Sequence, residues 1–195
     1  MGDRKTKRGA WHNDAMSRPH PFELTAPIDL TDHLLGEPHA PVELVEYADF
    51  ECPNCKQAAP AVKLLLDRFP GRIRFAFRHF PLEEVHPHAL LAAEVAEVAA
   101  AQGKFWPMHD LLFDQQLHLK SSNLRGYAER LQLDMARYAG ELDDHIYLQR
   151  IREHEQSGRR SGVRGTPTFF LNRRLQDVSF GIHLLHQAVE AALRR

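Results

Sequence analysis

Val45-Glu46-Tyr47-Ala48-Asp49-Phe50-Glu51-Cys52-Pro53-Asn54-Cys55 joins a run of strand-favouring residues to two cysteines three positions apart. Residues 42–48 (VELVEYA) suit a pleated surface and follow a turn-like Gly/Pro segment over 36–41, which predicts a strand there. Beyond Pro53 the apolar residues recur at Val62, Leu65, Leu66 and Phe69, a helical spacing, until Pro70 and Gly71 stop the run. Residues 73–79 (IRFAFRH) alternate side chains and predict the next strand. The unit reads strand, helix, strand, with the cysteines where the first strand gives way to the helix.

That placement has chemical consequences. Two cysteines at i and i+3 across a helix start bring their sulfurs close enough to link. With Pro53 at the first helical position, Cys52 becomes the cap residue, and unpaired backbone amides point at its sulfur and favour a thiolate. Cys52 is therefore the expected nucleophile. Cys55, a turn further in, is expected to keep its proton until a base takes it and so to act as the resolving thiol. Glu46, on the strand just before, is the candidate base if it points inward beneath the helix, where burial would raise its pKa. An edge-strand glutamate facing water is the alternative. Other readings of the pair stay open at this point: half of a zinc site completed by histidines such as His86 and His88, an inert packed pair, or a redox sensor.

The rest of the 195-residue chain frames this unit. Residues 1–24 mix basic residues, His, Gly and Pro without apolar period and read as a flexible leader; 25–82 form the first part of the core fold. Residues 83–160 carry apolar spacing near 3.6, as in 89–101 and 105–112, and predict an all-helical insertion. Within 161–195, Thr168–Leu171 predicts a strand, Asn172-Arg173 a turn, and 176–180 a weaker strand. A closing helix follows, with Ile182, Leu185, Val189, Ala192 and Leu193 on one face. His79, His109 and His183 read as surface or capping residues, and Phe105-Trp106 as filler between insertion and core. Twenty-five Lys and Arg against 26 Asp and Glu give a net charge of −1, a poor match for nucleic acid or an anionic membrane. No apolar run reaches the length of a spanning helix, so no membrane insertion is expected. The basic N-terminus lacks the apolar run of a secretory signal, which predicts a cytoplasmic protein.

Taken with Gly165-Thr166-Pro167-Thr168 far downstream, the Cys52-Pro53-Asn54-Cys55 motif resembles the DsbA-like branch of the thioredoxin superfamily, over about residues 34–195. The resemblance implies an α/β thioredoxin fold, a mixed central sheet flanked by helices, with an inserted helical subdomain. It implies a solvent-exposed nucleophile at Cys52, a resolving thiol at Cys55, a buried acid at Glu46, a cis bond between Thr166 and Pro167, and a helix-kinking proline at Pro60. The activity implied is thiol:disulfide exchange with protein or peptide thiols and disulfides, in either direction, with thioredoxin or glutathione as redox partner and with neither cofactor nor metal. Pro53, Asn54, Thr166 and Pro167 would touch the substrate, Thr166 by pairing its backbone edge with an extended chain. Asn54 departs from the ring-bearing residue common in strong oxidants and predicts a weaker one, since an amide brings no positive charge. A glutathione-using enzyme on this fold and a redox-silent peptide-binding module are the rival functions.

Overall fold

The computed structural model describes residues 23–179 and 181–194. In chain order the elements are β1 (His33–Gly36), β2 (Val42–Ala48), α1 (Pro53–Arg68), β3 (Ile73–His79), α2 (Ala89–Ala100), α3 (Phe105–Asp114), α4 (Ser121–Arg130), α5 (Met135–Asp143), α6 (Leu148–Arg160), β4 (Thr168–Leu171), β5 (Arg174–Gln176) and α7 (His183–Leu193). The strands form one mixed sheet in the order β1-β3-β2-β4-β5. Only β2 and β3, joined by α1, run parallel; the other neighbours are antiparallel. This is a thioredoxin-type sheet, with five helices between β3 and β4 in sequence.

β2 lies at the centre of the sheet, paired on both sides, so its residues are buried on both faces except for the half-buried Glu43. The alternation of a strand sorts them. Val42, Leu44 and Ala48 join the cluster under α1 and α7, whereas Val45 and Tyr47 join a second cluster with Leu24, Ala76, Phe80 and Phe170. By the same period Glu46 belongs to the α1 side, and the edge-strand alternative does not hold.

The helices after β3 assemble around α2, which is buried along most of its length and packs against α3, α4, α5 and α6. Its alanines permit that close approach. One buried charge cluster joins this assembly to the sheet, and a second ties the sheet to the segment before β1. Glu97 of α2 accepts from His33 Nε2 of β1 at 2.7 Å and His79 Nε2 of β3 at 2.8 Å, with Arg150 of α6 3.3 Å from its other oxygen. Arg78 is bidentate to Asp32 at 2.7 and 2.8 Å and also donates to Tyr47 and to the carbonyls of Ala26 and Pro27. Phe105 lies flat on His33, with ring centroids 3.4 Å apart, and Trp106 Nε1 donates to the Leu34 carbonyl, so this aromatic pair does join α3 to the sheet.

Several expectations are corrected. His79 and His109 are buried, because His79 is a partner of Glu97 and His109 lies edge-on to Phe50, Phe77 and Phe113. His183 is exposed at the start of α7. The last strand begins earlier than expected, at Arg174, since Asn172 and Arg173 both take positive φ (46° and 70°) and close a two-residue hairpin. Phe180, the predicted end of that strand, lies outside the described residues. So does most of the proposed leader, but its last two residues are held: Glu23 bridges to Arg174, and buried Leu24 donates its amide to the Arg173 carbonyl. β1 was not foreseen, for its four residues carry no β-branched side chain.

Gly158 marks where α6 meets the sheet. A Cβ there would lie 2.9 Å from the Phe80 ring and 3.1 Å from Tyr47. Gly158→Ala is expected to destabilise the protein by about 1–3 kcal/mol through overpacking, read as a lower midpoint in urea denaturation with unchanged slope.

Candidate active site

The site grows from the end of β2. After Ala48 the chain turns through Asp49, whose carboxylate accepts from three donors: the Glu51 amide at 2.7 Å, the Leu82 amide at 2.9 Å and His86 Nδ1 at 2.7 Å. This fixes the approach to α1. Cys52 follows as the cap residue, with extended backbone (φ −73°, ψ 121°), and Pro53 occupies the first turn, where its missing N–H leaves nothing unpaired. No side chain caps α1, so the amides of its first turn favour negative charge at Cys52 without competition from a capping group.

From the far side comes the Gly165-Thr166-Pro167 turn leading into β4. The Thr166–Pro167 bond is cis, and the Cys52 thiol donates to the Thr166 carbonyl at 3.2 Å. Among the described residues the Thr166 hydroxyl is buried without a hydrogen-bond partner. That contact covers the sulfur: Cys52 is only 5% exposed, where the family resemblance implied a solvent-exposed nucleophile. The open surface lies beside it, in a groove of about 470 Å³ formed by Gly162, Arg164, Gly165, Thr166, Pro167 and Leu175 among others.

Electrostatically the two cysteines are pushed apart. The Cys55 thiol, the Thr166 hydroxyl and the backbone amides of Cys55 and Asn54 all favour the Cys52 thiolate, which brings its pKa down to about 5 against the opposing effect of burial. Asn54 thus contributes a backbone amide to the thiolate. Cys55, fully buried and with the Asp49 amide 3.5 Å from its sulfur, is raised well above the ordinary thiol value, chiefly by burial. Glu46, 2% exposed, is pushed up to about 8 by burial first and by the neighbouring Cys52 charge second. It lines a cavity of about 680 Å³ between α1 and α3, shared with Lys56, Phe75, Trp106, His109 and Phe113.

Cys52, Cys55, Glu46 and Thr166 are therefore brought together, with Pro53 and Asn54 exposed at the start of α1 and Pro167 half-buried beside the groove. Asp49 and Gln116 shape the same site and carry no sequence expectation, whereas His86, read from sequence as a possible zinc ligand, is held by Asp49. An aspartate just ahead of a helix start is a readable signal; for Gln116, 64 residues from Cys52, local pattern carries none. Neither cysteine joins a cluster of metal-ligating atoms among the described residues. Among the described residues, the one group of His, Cys, Asp or Glu atoms converging within 4.8 Å is His33, His79 and Glu97, while His86 is engaged by Asp49.

Fold and site together define a member of the thioredoxin class. A family model described as Thioredoxin matches residues 29–191, and the chain belongs to that family. Among solved structures, BdbD from Bacillus subtilis superposes with a TM-score of 0.74 at 20% identity, covering 84% of this chain and 94% of its own. A thioredoxin-like oxidoreductase from Silicibacter pomeroyi DSS-3 gives 0.75 at 24% (86% and 95%), and the thiol-disulfide exchange protein alpha-DsbA2 from Wolbachia pipientis 0.73 at 22% (84% and 88%). At these identities the likeness establishes the fold. In sequence the chain is 49% identical over 172 residues to the Na(+)/H(+) antiporter NhaA 1 of Salinispora arenicola (strain CNS-205), covering 88% of this chain and 26% of the antiporter. It is 37% identical over 175 residues to NhaA of Herminiimonas arsenicoxydans, covering 89% and 28%. The chain spans about a quarter of the length of these curated relatives. Among the described residues no helix is long and apolar enough to cross a membrane.

The opposed shifts dictate the pH response. Glu46 has a folded pKa above its unfolded one, so the stability it contributes is complete below about pH 4.5 and is lost as pH rises through about 8. Cys52 is the reverse: its contribution to the reduced protein is complete above about pH 9 and is lost as pH falls through about 5. Glu46→Gln is expected to match the parent at pH 4 and to exceed it by about 2–4 kcal/mol at pH 9, measured by urea denaturation of the reduced forms.

Proposed function

We propose that this chain is a thiol:disulfide oxidoreductase acting on protein or peptide substrates through the Cys52/Cys55 couple. The observation that carries this is the splitting of one helical turn into a thiol lowered to about 5 and a thiol raised well above 9, beside a buried carboxyl raised to about 8. A packed structural pair has no need of such asymmetry.

In the reducing direction the Cys52 thiolate attacks one sulfur of a substrate disulfide. The substrate S–S bond breaks, its second sulfur leaves as a thiolate, and a mixed disulfide to Cys52 remains. Cys55 then gives its proton to the Glu46 carboxylate and attacks the Cys52 sulfur, releasing the second substrate thiolate and closing the Cys52–Cys55 disulfide. Two electrons pass to the substrate, and its thiolates take up protons, one of them supplied through Glu46. The cavity beneath α1 gives that carboxyl an outlet to water. Run backwards, the same atoms oxidise a dithiol. The backbone at Thr166, beside the open groove and with its carbonyl released once Cys52 loses its proton, supports docking of the substrate as an added strand.

Direction follows from the compartment and the partner, for which thioredoxin or glutathione are the proposed candidates; in a cytoplasmic setting the couple would rest as a dithiol. The similarity to antiporters spans the thioredoxin-fold segment, and the reading rests on the sulfur chemistry of that segment.

The test is disulfide exchange with insulin, in the presence of dithiothreitol, together with oxidative refolding of a reduced protein. Cys52→Ser is expected to abolish both activities, and Cys55→Ser to accumulate a mixed disulfide visible on non-reducing gels. Glu46→Gln is expected to slow resolution of that intermediate on the order of 100-fold while leaving its formation nearly unchanged. Absence of both activities in the parent, with peptide binding that Cys52→Ser leaves unchanged, would sink the proposal in favour of a redox-silent module. A glutathione requirement with indifference to loss of Cys55 would point to the glutathione-using alternative.

A further inference from the structure

Gln116 lies two residues beyond α3, just past its cap residue Gln115, and is buried at 8% exposure. Its side-chain amide crosses to the active-site turn and donates twice, to the Phe50 carbonyl at 2.8 Å and to the Cys52 carbonyl at 2.9 Å. These two acceptors bracket Glu51, the residue leading into the cap. The Cys52 carbonyl also receives the first helical bonds of α1, from the Cys55 and Lys56 amides at 3.1 and 3.2 Å. Gln116 therefore grips the carbonyl from which α1 starts, while the Asp49 carboxylate secures the Glu51 amide between the two acceptors.

We infer that Gln116 is a positioning residue, by which the helical insertion sets the backbone of Cys52 and thereby aims the α1 amides at its sulfur. This rests on the proposed nucleophilic role of Cys52 and deepens it. The physical reason is directional. A cap residue has non-helical backbone and is not locked by the helix ladder, so its φ and ψ need outside restraint. No side chain in α1 supplies that restraint, because Cys52 itself occupies the cap and makes no side-chain cap bond. A glutamine suits this position because it carries both donors on one nitrogen, and its two bonds span neighbouring carbonyls without adding a charge beside the thiolate. With Gln116 removed, the two carbonyls lose a buried donor, the turn relaxes toward water, and the amides from Cys55 and Asn54 no longer converge on the sulfur.

The experiment measures the pH dependence of Cys52 alkylation by iodoacetamide in the fully reduced protein, in a Cys55→Ser background so that one thiol reports. It needs no redox activity, so it remains decisive should the proposed function fail. Gln116→Met, close in size but without donors, is expected to move the Cys52 titration upward and to slow alkylation at pH 5 roughly fivefold, the effect of one lost neutral hydrogen bond. Gln116→Glu, which keeps length but loses the donors when ionised, is expected to shift further in the same direction. In the parent, whose folding is not in question, the Gln116 side-chain NH₂ resonances are expected to follow the Cys52 titration in a 15N-edited NMR series. A Gln116→Met profile superimposable on its background, or Gln116 resonances flat across the Cys52 titration, overturns the inference. If the alkylation shift is seen while insulin exchange is absent in the parent, the positioning role stands and the oxidoreductase reading falls.

Discussion

The contact on which the molecule turns is the one between the Cys52 sulfur and Thr166, two groups 114 residues apart in sequence held 3.2 Å from each other. Neither makes sense alone. The turn at Thr166 covers the sulfur, and the Thr166 hydroxyl, buried without a partner among the described residues, favours the thiolate form of Cys52. To hold them so, β2 must pair with β4, because one strand ends at the cysteine loop and the other begins at the turn; Tyr47 lies opposite Thr168 in that register. The centre of the sheet is thus the ruler that sets the site.

The helical insertion is tied to that ruler by charge as much as by apolar packing. A buried carboxylate such as Glu97 is tolerable only with partners, and it draws them from β1, β3 and α6 at once. Arg78 and Asp32 tie the segment before β1 to the opposite face of the sheet. Because removing one partner strands the others in a dry interior, such clusters fix how helices and sheet sit together more sharply than interchangeable methyl groups would.

Much of this was legible from the chain itself. β2, α1 and β3 follow from residue alternation and helical spacing, and their order around the cysteines already implies a capped sulfur, whereas the burial of Glu46 stays open until β2 is seen paired on both sides. What stayed hidden is what depends on distant partners. β1 owes its place to pairing with β3 rather than to its own four residues, the buried state of His79 and His109 depends on Glu97 and a ring of phenylalanines, and the grip of Gln116 on the active-site turn spans two elements with no shared pattern. The shielding of Cys52 likewise depends on Thr166 being folded against it, so a residue expected at the surface is buried.

Glu46 lies close enough to the sulfur to feel its charge, and part of what keeps the Glu46 proton in place is repulsion from the ionised Cys52. Once that sulfur is tied into a disulfide its charge is gone, and the carboxyl's hold on its proton weakens. Electron transfer and proton release are thereby coupled within one buried pair, so that a change of redox state is also written as a change of protonation in the cavity beneath α1.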